Sequence, residues 1–161
     1  MIAIDLTLLW LHVIGACVLL GTGAGIAFFM VMAARSRIPA VIAQVAGWVV
    51  LADLIFTTTA VIAQPVTGLL LAHQLGWDLT EGWLLLSIAL YAFVGVFWLP
   101  VVWIQLRLRD LARAATAQGA ALPKAFDRLY RIWFFCGFPA FFAVLAIIWL
   151  MLARPDIALW R

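Results

Sequence analysis

"LLWLHVIGACVLLGTGAG", Leu8–Gly25, holds no side chain that is charged at neutral pH except by protonation of one imidazole, His12. Such a run reads as a helix inside a bilayer. Crossing about 30 Å of hydrocarbon at 1.5 Å per residue takes about 20 mainly apolar residues. The apolar stretch extends over residues 6–33, and working outward from it three more appear at 41–72, 83–106 and 131–153. The whole chain agrees: of its 161 residues 68% are hydrophobic and 11% charged, with mean hydropathy +1.19. Soluble domains are nearer half apolar and a quarter charged. A chain this apolar cannot cover its own surface with polar groups, so lipid is the solvent for most of it. The expected architecture is all-α: one four-span transmembrane bundle over 1–161, with no separate soluble domain.

Loop charges orient the spans. Arg35 and Arg37 lie between the first two, and Arg107, Arg109, Arg113, Lys124, Arg128 and Arg131 lie between or at the facing ends of the last two. The connection "HQLGWDLTEG" has Asp78 and Glu81 and no Lys or Arg. The positive-inside rule then places both termini outside and the two basic loops in the cytoplasm, against the dissent of Arg154 and Arg161. The N-terminus lacks a basic n-region and its apolar run is too long for an h-region, so the first segment is expected to stay in the membrane. Arg107–Thr116 is expected to continue the third span as a helix, with Gly119 and Pro123 marking the turn. The start of the second span, "IPAVIAQVAG", is expected at the interface, with Pro65 bending its outer half. Trp10, Trp77, Trp83, Trp149 and Trp160 fall near the outer boundary, where indoles settle. A net charge of +3 is too small to argue for nucleic acid. The partners expected are the lipid bilayer and a second copy or another membrane subunit. Gly21 and Gly25 form a GxxxG suited to close packing inside the bundle, or else to a homodimer seam. Cys17 and Cys136, in apolar runs without CxxC spacing, are expected to be buried free thiols.

Polar groups inside the hydrocarbon carry the functional signal, because an unmatched one costs several kcal/mol. His12 is roughly 9 Å below the outer end of its span and Gln64 roughly 12 Å below the outer end of the second, so the two can share a site. His73 lies at the outer surface, a weaker partner for a haem held between two imidazoles. Asp53 has Thr57 at i+4 on the same face. Thr57, or an ion pair with Arg37, Arg107 or Arg131, would satisfy it. His12 is either a packed histidine or a candidate ligand for a b-type haem or a metal, since neutral imidazole ligates both. No HExxH, Cys/His cluster, Walker loop or nucleophile–base arrangement is present, and hydrolytic and phosphoryl-transfer chemistry finds no support.

The blocks "LHVIGACVLLGTGAGIAFFM", "ADLIFTTTAVIAQPVTGLLLA", "LYAFVGVFWLPVVWIQLRLRDLA" and "WFFCGFPAFFAVLAIIWLM" resemble the predicted bacterial integral membrane proteins grouped as domain of unknown function 2269. That resemblance implies a four-span inner-membrane protein and assigns no activity. Leu11–His12 is similar, more distantly, to the "LH" early in the first span of HemJ-type protoporphyrinogen oxidases and CopD-type copper-resistance membrane domains. The HemJ likeness implies haem binding at His12. Unlike that pattern, the first span here has no arginine and the third no lysine before Arg107. Met30, Met32 and Met151 do not cluster with His12 as copper handling would favour. The chain is expected to be a haem-binding electron-transfer or porphyrin-metabolism protein, or else a cofactor-free structural or accessory subunit, or a small proton-coupled transporter centred on Asp53.

Overall fold

Apolar length sets the helices, and caps set their ends. In the computed structural model, which describes residues 5–158, four helices are long and apolar enough to cross a membrane. These are α1 (Leu6–Ser36), α2 (Pro39–Leu75), α3 (Gly82–Ala117) and α4 (Lys124–Ala153). Trp160 and Arg161 lie outside the described residues. Asp5 caps α1, its Oδ1 accepting from the backbone N–H of Thr7 at 2.9 Å and of Leu8 at 3.3 Å; these are donors a helix start otherwise leaves unpaired. At the far end of α2, Gly76 takes the left-handed conformation (φ 70°), and the Trp77 N–H reaches back to the Ala72 carbonyl at 2.9 Å. That is the glycine stop expected of a helix C-terminus.

Both helices at the basic end outrun the hydrocarbon. α3 continues to Ala117, beyond the 106 expected of the span itself, and α4 begins at Lys124 rather than 131. Arginine-rich amphipathic sequence keeps its backbone bonds as readily in water as in lipid. The two helices therefore pack together past the boundary. Arg37, in the turn between α1 and α2, donates to Asp127 of α4 at 2.5 Å. That hydrogen bond holds the Asp127 carboxyl below the usual carboxylate range, against a smaller desolvation effect. Both side chains are about half exposed, so the pair adds little stability.

α2 is not one regular helix. It is α-helical over Pro39–Ala52 and Thr58–Leu75, with a π turn at Asp53–Thr57 between them. The π turn has no signature that periodicity reveals. Pro39–Ala52 packs against both α1 and α3, whereas Thr58–Leu75 packs chiefly on α1. The core at the basic end accordingly draws on all four helices: Met30, Ile42, Leu108, Ala112 and Phe126 have no exposed surface. A smaller cluster closes the opposite, acidic end, where Ala72, Trp83, Leu84 and Leu150 are buried with Trp77 against them. Trp77 meets Trp83 edge-on at 5.2 Å, and the Arg154 guanidinium lies 4.4 Å over the Trp77 ring.

Two expectations about small residues and thiols need correction. A Cβ added at Gly21 or Gly25 would meet nothing within 4 Å, so this GxxxG does not bring two helices of the chain together. The close approach falls instead at Gly15 and Gly68. Cys17 is exposed and Cys136 half-buried, both free. A thiol is apolar enough to face lipid without cost.

Candidate functional site

α1 and α2 are joined by a polar clasp in their half nearer the acidic end. The Gln64 amide donates to the His12 backbone carbonyl at 2.7 Å. It lies so close to Gly15 that any Cβ there would collide with it. The imidazole of His12 sits against Gly68, where an added Cβ would stand 3.1 Å from Cε1, and its Nδ1 is 2.8 Å from Thr67 Oγ1. The Thr67 hydroxyl donates to the Ala63 carbonyl at 2.8 Å. With its one hydrogen so placed, that oxygen is left to accept from an Nδ1–H tautomer of His12. Two glycines and two polar side chains thus make a tongue-and-groove between helices. The structure brings His12, Gln64 and Thr67 together and leaves His73 apart, exposed near the end of α2. Nor does His12 line the central cavity described below. Among the described residues no group of three or more His, Cys, Asp or Glu side chains could hold a metal ion. These residues do not fit a haem clamped between imidazoles.

Asp53 is almost fully buried at the start of the π turn. Leu54, Ile55 and Phe56 point out to lipid, while Asp53 and Thr57 face inward. Only part of the expectation for Asp53 holds: Thr57 shares its inward face, but no arginine pairs with it among the described residues. Arg37 is taken by Asp127, and the Thr57 hydroxyl makes no hydrogen bond. Instead the Trp98 indole N–H donates to Asp53 Oδ1 at 3.4 Å.

About two turns farther along α2, Pro65 has no N–H to give the Val61 carbonyl. Tyr91 of α3 supplies the missing donor, its hydroxyl 2.5 Å from that oxygen. In hydrocarbon a freed carbonyl has no water to turn to, so a donor from a neighbouring helix takes its place.

Between these polar contacts lies a cavity of about 520 Å³ lined by all four helices. Its walls are mainly apolar and aromatic, including Phe97, Trp98, Phe134 and Phe138, and its polar residues are Asp53, Thr57, Gln64, Tyr91, Gln105 and the indoles of Trp98 and Trp133. Gly23, Gly95 and Gly137 also line it, and a Cβ added at any of them would meet nothing within 4 Å. The basic-end core lies below the cavity and the Trp77–Trp83 cluster above it. Sideways, between α1 and α4, Phe28, Phe138 and Phe141 line the cavity while remaining exposed to lipid. That pair of helices makes the sparser contact. Gln105 and Trp133, which no motif in the sequence singles out, belong to this site. The available signal was three glycines, each in the middle third of a different helix, with an uncharged Gln on one of those helices.

Comparison with known proteins adds the family. The model described as predicted integral membrane protein (DUF2269) matches residues 6–155. No curated protein and no solved structure matches the chain.

Proposed function

The chain belongs to the DUF2269 family of predicted integral membrane proteins, and from that premise we propose that it is an intramembrane binding protein, taking up a lipid-soluble small molecule from the bilayer. The observation that carries this is the cavity: about 520 Å³ within all four helices, between the two buried clusters, with exposed lining residues on α1 and α4. Ligand sites are typically clefts of this size, mainly apolar with a few placed polar groups, and in bundles they form between helices. Helices in lipid associate by close packing, because lipid removes the hydrophobic drive. A void among them forfeits dispersion contacts that a bound apolar molecule restores. The His12–Gln64–Thr67 clasp has a structural part in this reading: it holds α1 on α2 while α3 and α4 stand off.

Saturable uptake of an apolar, environment-sensitive fluorophore by the purified protein tests the proposal. Gly95→Leu and Gly23→Leu each place a side chain in the cavity. Each is expected to weaken uptake at least tenfold while helix content and thermal midpoint are kept. Uptake that never saturates, and that ignores both substitutions, sinks the reading.

In this reading the protein sits in a bacterial inner membrane with its basic end in the cytoplasm and both termini outside, the orientation that the positive-inside rule favours for these loop charges. A single cysteine at Gln118, with Cys17 and Cys136 replaced, is expected to resist an impermeant thiol reagent on intact cells. Its labelling there would reverse the orientation.

A further inference from the structure

Four buried side-chain atoms have no hydrogen-bond partner among the described residues: Asp53 Oδ2, Thr57 Oγ1, Gln105 Oε1 and Trp133 Nε1. Their residues are 2%, 6%, 1% and 5% exposed, and all four line the same cavity. Resting on the binding reading above, we infer that the ligand is an uncharged lipophile bearing hydroxyl groups, and that these four side chains recognise it.

The donor and acceptor pattern selects the chemistry. Gln105 Oε1 only accepts and Trp133 Nε1–H only donates. The Thr57 hydroxyl does both, and a carboxyl at Asp53 accepts or donates according to its proton. A ligand carbonyl alone would meet Trp133 and strand Gln105, and an ammonium would do the reverse. A carboxylate or phosphate finds no Arg, Lys or His in the lining, and it faces Asp53 across the same space. A hydroxyl both donates and accepts, suits either state of Asp53, and enters hydrocarbon without the cost of a charge.

Shape narrows the class. Along α3 the lining runs from Tyr91 to Gln105, about 21 Å of helical rise. A cavity of that length and about 520 Å³ is longer than it is wide, a shape that suits an extended hydrocarbon chain. The Trp98–Asp53 hydrogen bond puts those residues level, and Gln105 lies about 10 Å farther toward the basic end. The inner pair, Gln105 and Trp133, receives a terminal hydroxyl. Asp53 and Thr57 receive a second oxygen on chains that carry one. Phe28, Phe138 and Phe141 flank the way in from the lipid.

Native mass spectrometry of the full chain in detergent tests this, with hexadecanol, hexadecane, hexadecanoate and hexadecylammonium as probes. Hexadecanol is expected to bind about tenfold tighter than hexadecane, the gain from two neutral hydrogen bonds. Gln105→Leu replaces an unpartnered amide by an apolar side chain of similar size. It should lower hexadecanol binding about threefold, the share of one of the two hydrogen bonds, and leave hexadecane unchanged. Trp133→Phe should act in the same direction. Equal binding of the alcohol and the alkane to the native chain overturns the ligand class and leaves the cavity reading standing. No saturable binding of any probe overturns both. Tightest binding of hexadecylammonium, lost in Asp53→Asn, overturns the inference in favour of a cation site. Tightest binding of hexadecanoate overturns it as well.

Discussion

Met30, Ile42, Leu108 and Phe126 fill the basic end of the bundle without exposed surface, whereas a few turns away the same four helices surround a cavity of about 520 Å³. Both regions are rich in small residues, used in opposite ways. Ala43, Ala46 and Ala112 are buried in the basic-end core, where they let α2 and α3 close on each other. Gly23, Gly95 and Gly137 have no neighbour within reach and leave room. The difference comes from the path of α2. Before the π turn it packs on both α1 and α3. Beyond the turn it follows α1, held by Gln64 and Thr67, and reaches α3 through the Tyr91–Val61 hydrogen bond. Small residues, then, do not decide whether helices touch; the course of the backbone does.

If the basic end is as solid as its burial implies, the largest effect comes from hollowing it. Phe126→Ala is expected to destabilise the bundle by about 3–5 kcal/mol, the usual cost of deleting a buried aromatic side chain. Reversible unfolding in mixed micelles measures it, and a loss below about 1 kcal/mol would show that this end already yields as the cavity does. A smaller effect is expected at the clasp. Gly15→Ala forces the Gln64 amide off the His12 carbonyl and should cost about 1–2 kcal/mol, the scale of an intramembrane hydrogen bond. The same substitution at the cavity wall has the opposite sign. Gly95→Ala meets open space and removes a glycine from a helix interior, so it should stabilise by about 0.5–1 kcal/mol. Equal costs for Gly15→Ala and Gly95→Ala would erase the distinction between the closely packed wall and the open one.

Much of this was legible in the residues, and for a physical reason. Lipid allows only helices or closed barrels, so length and apolarity alone locate the spans, including the first from Leu8–Gly25 outward. The helix over Arg107–Thr116 was also readable, from the turn signals that end it. Depth along the spans put His12 beside Gln64 before any coordinates did, since two connected antiparallel helices share one ruler of 1.5 Å per residue. Other features were not legible. The i+4 spacing put Asp53 and Thr57 on one inward face, but the Trp98 donor to Asp53 comes from another helix and leaves no signal in the span itself. The role of Tyr91 depends on a carbonyl freed by Pro65 on another helix. His73, by contrast, is exposed near the end of α2 as its depth implied, turned away from the cluster that buries Ala72 beside it.

By itself the sequence determined that the chain is a four-helix membrane bundle, because transfer of single residues between water and hydrocarbon is a local property that adds along the chain. Which helices close and which stand apart was decided only in the tertiary structure. The meeting of Asp53, Thr57, Gln105 and Trp133 around one cavity rests on the relative rotation and divergence of three helices. Those quantities are set by packing between segments distant in sequence, and no single span carries them.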